Sequence, residues 1–270
     1  MTFTPVLPLS GYAGWALLKR TLTVQTATFN KSPEIVRDTD YFRATIATVK
    51  TADQLVNNRR LLSVALGAFG LDSDIDNKAF LQKILTDGTT STTALANRLA
   101  DKRYAQFAAA FGFDQTTPGT QTTGFADKIV TAYKNREFES AVGAQDGDLR
   151  LALNAQRELA DLAGKPSSET VKWLTIFGNS PLRTVLQKAL GVPASVGALG
   201  LDQQLNIYQT KAAAVFGDSS VSQFATATKM DSLVRRFLTR SQADQLISQT
   251  SGSSIALILM QQTRAGMSSR

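Results

Sequence analysis

Apolar residues recur at spacings of three and four along most of the chain, the period of an α-helix with one buried face. Between residues 11 and 29, Trp15, Leu18 and Leu22 set that spacing. Asp40 stands where it can cap a short helix carrying Tyr41, Phe42, Ile46 and Val49. In TADQ, Thr51 and Gln54 form a capping box, in which the hydroxyl accepts from the third helical amide while the Gln side chain reaches back. The helix so opened holds Leu55, Leu62, Leu66 and Phe69 and stops at Gly70. Asp74 or Asp76 caps the next helix, NKAFLQKIL. LANRLADKRYAQFAAAFG places Leu95, Leu99, Phe107 and Phe111 on one face and stops at Gly112. Phe125, Ile129, Tyr133 and Phe138 define one further helix, and Leu149, Leu153, Leu159 and Leu162 another. Ser180 and Pro181 open a helix that ends at Gly191, with Pro193 close behind. No stretch alternates convincingly with the two-residue period of a strand, so the predicted class is all-α and multihelical.

The helix stops repeat. AFGLD at Ala68 to Asp72 returns as AFGFD at Ala110 to Asp114, with a cousin, ALGVP, at Ala189 to Pro193. A left-handed glycine after the last helical residue satisfies orphan carbonyls, and the apolar residue behind it packs onto the last turn. Gly70, Gly112 and Gly191 therefore read as structural stops and not as a binding loop. Aligning RLLSVALGAFGL with PLRTVLQKALGV matches Val64 to Val185, Ala68 to Ala189 and Gly70 to Gly191, which predicts two weakly related helical units. DQTTPGTQTTG, rich in Thr, Gly and Pro, is the best linker. The predicted organisation is an N-terminal helical segment (1–39), a first helical unit (40–113), a linker (114–124), a second helical unit (125–262) and a flexible tail (263–270).

Two absences narrow the chemistry. The chain has no Cys and no His. Disulfides, thiolate nucleophiles, Ser-His-Asp catalysis and every zinc site built on nitrogen or sulfur ligands are thereby excluded. Composition is that of a globular chain, with 43% apolar and 19% charged residues. A net charge of +7 points toward anionic partners, nucleic acid or a membrane surface, but 29 basic residues stand against 22 acidic ones, so a solvated surface is the plainer reading. MTFTPVLPLSGYAGWALLKR has neither the basic start nor the unbroken apolar run of a secretory signal, and Ile255 to Met260 is too short to cross a bilayer. A cytoplasmic chain, or one exported without a cleavable signal, is expected.

Each candidate motif has a plainer structural reading. Asp72, Asp74 and Asp76 match the first, third and fifth positions of a calcium loop, but Asn77 and Lys83 replace the glycine and the bidentate glutamate. Asp146 and Asp148 in QDGDLR suit a helix start. Glu137 and Glu139 in REFE stand two apart, too far round a helix to work as an acid/base pair. GAFG ends a helix instead of leading into one, and GNSPL lacks the second glycine of a nucleophile elbow. No catalytic residue, cofactor-binding residue or metal ligand is expected. Arg235, Arg236 and Arg240, interleaved with Leu233, Val234, Phe237 and Leu238, form a basic amphipathic helix that could face an acidic partner. Trp15, Leu18 and Leu22 form an apolar stripe outside the repeated units, which either docks on them or binds a partner. These six are the candidate partner-binding residues.

Taken together, GYAGWALLKRT, YFRATIATVKTADQLVNNRRLLSVALGAFGLD, ALANRLADKRYAQFAAAFGF, FESAVGAQDGDLRLALN and GNSPLRTVLQKALGVP resemble a family of uncharacterised bacterial proteins. Its members are all-helical where known and are often encoded among flagellar genes in alphaproteobacteria. The resemblance implies a non-enzymatic structural or interaction protein whose partners include flagellar components; the alternatives are a nucleic-acid or lipid-surface binding module, or a carboxylate-based enzyme with a pocket between the helical units. The Thr-, Gln- and Asn-rich composition, with Thr about a tenth of the chain, is also common in exported axial proteins.

Overall fold

The computed structural model describes residues 3–267, with side chains described through residue 248. Its described residues form α-helices and short 3-10 turns, with no strand. The helices are α1 (Gly11–Phe29), α2 (Pro33–Thr45), α3 (Ala52–Asn57), α4 (Arg59–Phe69), α5 (Lys78–Asp87), α6 (Leu95–Arg98), α7 (Arg103–Phe111), α8 (Phe125–Gly143), α9 (Gly147–Ala163), α10 (Glu169–Phe177), α11 (Ser180–Leu190), α12 (Leu201–Phe216) and α13 (Ala227–Met267). The protein is all-α.

Polar side chains break the apolar pattern into shorter helices than the spacing alone predicts. The single helix expected from Thr51 to Phe69 is two, because Asn58 turns the backbone extended (φ −100°, ψ 91°) and its Oδ1 accepts from the Leu61 N–H at 3.1 Å. Thr51 does cap α3, accepting from the Gln54 N–H at 3.3 Å, while Gln54 reaches back to the Lys50 N–H at 2.7 Å. The helix expected over Leu95 to Phe111 is likewise divided into α6 and α7, since the Asp101 carboxylate accepts from the Arg103 N–H at 2.9 Å and caps a new start. Asp40, expected at a helix start, lies inside α2, which begins at Pro33. Asp74 and Asp76 do not cap α5 either; Asn77 precedes it, and Asp74 instead accepts from the Asn77 side chain at 2.8 Å.

The chain divides into two compact units, one formed by Met1–Pro8, Ala16–Arg150 and Thr175–Ser180, the other by Leu9–Trp15, Leu151–Leu174 and Pro181–Arg270. In the first, α4 packs on α8 and α2. Its core holds Leu61, Leu62 and Leu66, all at 0% exposure, each stabilising by about 1.5–3 kcal/mol relative to an exposed position. Aromatic rings fill the adjoining space, with Phe107 and Phe111 at 5.1 Å and Phe111 and Phe125 at 5.1 Å between centroids. Residues 114–124 fall within this unit. They are tied down by Thr120, whose hydroxyl donates to the Val49 carbonyl at 2.6 Å, and by Gln121, which donates to the Ala47 carbonyl at 2.8 Å. In the second unit, Trp173 meets Tyr208 edge-on at 6.0 Å and Phe216 meets Phe224 at 5.3 Å. Of the tail expected at 263–270, residues 268–270 lie outside the described residues.

The two units repeat one construction. Helices α4 and α11 are both eleven residues long, and each is preceded by an asparagine, Asn58 and Asn179, 121 positions apart. Both are followed by a glycine at φ 68°, Gly70 and Gly191. In α4 the Gly70 N–H reaches the Gly67 carbonyl (3.2 Å) and the Leu71 N–H reaches that of Leu66 (3.0 Å); in α11 Gly191 reaches Lys188 (3.0 Å) and Val192 reaches Gln187 (2.9 Å). This is the Schellman closure, repeated bond for bond.

Candidate functional site

A helix C-terminus carries unpaired carbonyls and partial negative charge, which draw cations. Both repeated termini are met by arginines. The Arg136 Nε of α8 donates to the Ala68 carbonyl at 3.0 Å, and Arg103 donates to that of Gly70. In the second unit, the Arg236 Nε of α13 donates to the Ala189 carbonyl at 3.2 Å. Arg240 lies against Gly191 so closely that a Cβ there would stand 2.4 Å from its guanidinium. Arg236, read from sequence as partner-facing, thus braces the end of α11, with Arg240 beside it. Arg235 and Arg240 are both exposed on α13, and Arg236 is half-buried.

The stripe at the N-terminus is also internal. Trp15 is 3% exposed and Leu18 0%, with Leu22 half-buried, so the partner-binding reading of Trp15 and Leu18 is corrected: these side chains are core. An indole and an isobutyl group removed from water to that degree have no face left to offer a partner.

One polar cluster escaped the sequence reading. Lys172, only 4% exposed, donates from Nζ to the Ala163 carbonyl (2.9 Å), to Glu169 (3.3 Å) and to the Ser222 hydroxyl (2.6 Å). Glu169 also accepts from the Val221 N–H (2.5 Å), from the Ser222 N–H (3.3 Å) and from the Ser222 hydroxyl. Burial works against its ionisation, but the Ser222 hydroxyl, the two backbone N–H groups and Lys172 outweigh it and hold the carboxyl below its usual range. Serine, lysine and glutamate in one cluster suggest covalent catalysis, yet a nucleophile's base must be able to take a proton. Here all three ammonium donors are engaged and the hydroxyl proton is directed at the carboxylate. The cluster fastens the last turn of α9 to α10 and to the 3-10 turn Ser222–Ala225. Glu169 and Lys172 stand i,i+3 in sequence, but Ser222 is too remote for any local pattern to have joined it to them.

The aspartates of LDSDID disperse. Asp76 pairs with Arg59 at 2.6 Å, and Asp74 accepts from the Tyr104 hydroxyl at 2.5 Å. Among the described residues no group of three acidic side chains is placed to hold a metal ion. Asp146 starts α9, accepting from the Asp148 and Leu149 N–H groups at 2.9 Å each. In REFE, Glu139 is buried, while burial and then the carboxylates of Asp72, Glu34 and Asp38 push Glu137 up to about 7. A depression of about 420 Å³ lies between Lys50 and residues 113–121, lined by Phe113, Gln115 and Pro118 among others, with one cation and no carboxylate. It supplies no acid/base pair.

Two exposed apolar residues lie on α13 past its packed part. Its buried stripe runs through Met230, Leu233, Val234, Phe237, Leu238 and Ser241. From Ala243 to Ser248 every side chain is exposed, including Leu246 at 64% and Ile247 at 65%. No described helix is long and apolar enough to cross a membrane.

An all-helical protein of two related units is the class that these features define. The family described as "Protein of unknown function (DUF1217)" matches residues 68–230, and the chain belongs to it. A crystal structure of protein AGR_C_984 from Agrobacterium tumefaciens shares the fold, with a TM-score of 0.70 at 24% identity over 89% of this chain and 98% of that one. No curated protein matches the sequence.

Proposed function

We propose that the protein works without a chemical step, as a helical structural or interaction protein, and that it does so in the bacterial flagellar apparatus. The observation that carries the interaction reading is the exposure of Leu246 and Ile247 on α13, past the buried Ser241. Two large apolar side chains held in water cost about 1.5–3 kcal/mol each relative to burial, a cost that a partner groove removes. Lys172, Glu169 and Ser222, the group with the most catalytic look, are spent on fastening helices. The flagellar placement rests on the family resemblance of the quoted motifs and on the Thr-, Gln- and Asn-rich composition.

The test is a chromosomal Leu246→Lys, Ile247→Lys double variant in a motile host. Swimming should fall toward that of a deletion strain while the purified variant keeps its helical content and melting temperature. Wild-type motility and basal-body assembly in the deletion strain itself would dismiss the flagellar reading. A motile double variant in a host whose deletion strain is non-motile would dismiss the docking role of α13.

A further inference from the structure

The repeated arginine clamp sets the register between α8 and α13, because Arg136 and Arg236 reach the matching carbonyls of Ala68 and Ala189. In that register Val130, Tyr133 and Phe138 correspond to Met230, Leu233 and Leu238, all of them buried. Glu137 corresponds to Phe237, which is 0% exposed. The first unit therefore carries a carboxyl where its sister carries a core phenyl ring.

Three carboxylates act on that carboxyl. Glu34 and Asp38 act on it from α2, and Asp72 from the 3-10 turn Asp72–Asp74 that follows α4. Tyr133 stands one turn earlier on α8 itself, close enough that a Cβ at Gly67 would lie 2.7 Å from its ring. Arg60 holds Asp38 at 2.8 Å and covers the Tyr41 ring, Arg59 holds Asp76, and Arg103 and Arg136 serve the α4 carbonyls. The 3-10 turn Gly119–Gln121, also packed on α8, has no charged residue. Among the described residues Glu137 has neither a hydrogen bond nor an ion pair, only the repulsion of the three acids.

We propose that Glu137 is a proton-operated latch in the first unit: neutral, it lets α8 rest on α2 and α4, and ionised, it drives these helices apart. A neutral carboxyl is a tolerable occupant of a half-buried phenylalanine position, whereas a carboxylate there loses hydration and faces like charge. In an opened chain Glu titrates near its ordinary value of 4.5, and in the closed unit near 7. The closed form is therefore fully favoured below the lower value and loses ground as pH rises through the upper one.

Hydrogen exchange on the full chain at pH 6 and pH 8, corrected for intrinsic rates, reads the latch directly. The opening equilibrium of α2 and α8 should rise by about tenfold between those values, with α11 as the internal reference. Glu137→Gln should remove the difference. Asp72→Asn, at an exposed position of the turn after α4, should move the midpoint of opening to lower pH by removing one repelling charge. Opening of α2 and α8 that follows pH no more than α11 does would overturn the proposal. So would a pH response that survives in Glu137→Gln, or a midpoint unmoved in Asp72→Asn.

Discussion

Gly70 and Gly191 hold φ at 68°, where a Cβ costs about 1–2 kcal/mol per residue. A side chain at either position also meets a guanidinium, that of Arg136 at 2.9 Å or of Arg240 at 2.4 Å from the Cβ. Gly70→Val should therefore lower stability by about 2 kcal/mol or more in urea unfolding, since backbone strain and displacement of the Arg136 clamp act together. Unchanged melting in that variant would mean that the glycine is not needed as a helix stop. These glycines were legible because αL conformation leaves a residue-type signature on the chain itself. The arginines that complete the stops were not, for Arg136 lies 68 positions from its acceptor and Arg236 lies 47 from its own. Arg235, Arg236 and Arg240 look alike in sequence, and only the location of the Ala189 carbonyl separates Arg236, which braces a helix, from the two exposed ones.

At the scale of elements, apolar spacing located the helices but overran their ends. Asn58 and Asp101 interrupt patterns that continue on either side of them, because a side chain bonded to a backbone N–H two or three residues on opens a new helix without disturbing the period. The same spacing, Trp15 to Leu18 to Leu22, specifies an apolar face but not what covers it. Burial of Trp15 and Leu18 resolves that ambiguity in favour of the protein's own core. Elements are then pinned to one another by polar clusters with no local signature, the Lys172 cluster above all. Lys172→Met should cost about 1–3 kcal/mol, because it leaves the Ala163 carbonyl without the Lys172 donor and removes the one cation bonded to the Glu169 carboxylate. Urea unfolding of the full chain measures this loss. Stability equal to the wild type would show that the cluster is not a fastening and would reopen its chemical reading.

Across the whole molecule, the construction is one helical unit used twice with different additions. The short match of Val64, Ala68 and Gly70 to Val185, Ala189 and Gly191 was enough to announce the repeat, since a helix, its stop and the residue behind the stop are all contiguous in sequence. Its two departures are the informative ones. Glu137 replaces a core phenylalanine and gives the first unit a response to protons. Helix α13 outruns the second unit's buried stripe and carries Leu246 and Ile247 into solvent. Neither departure changes the helical period, so neither was visible before the two units could be compared in three dimensions.

Photo-crosslinking in motile cells, from a reactive side chain introduced at position 247, tests the interaction role most directly, with the same group at Lys211 on α12 as the reference. A discrete adduct from position 247, absent from position 211 and containing a flagellar component by mass spectrometry, is the result predicted. No adduct from position 247, or the same adducts from both positions, would contradict the view that α13 beyond Ser241 is where this protein meets its partner.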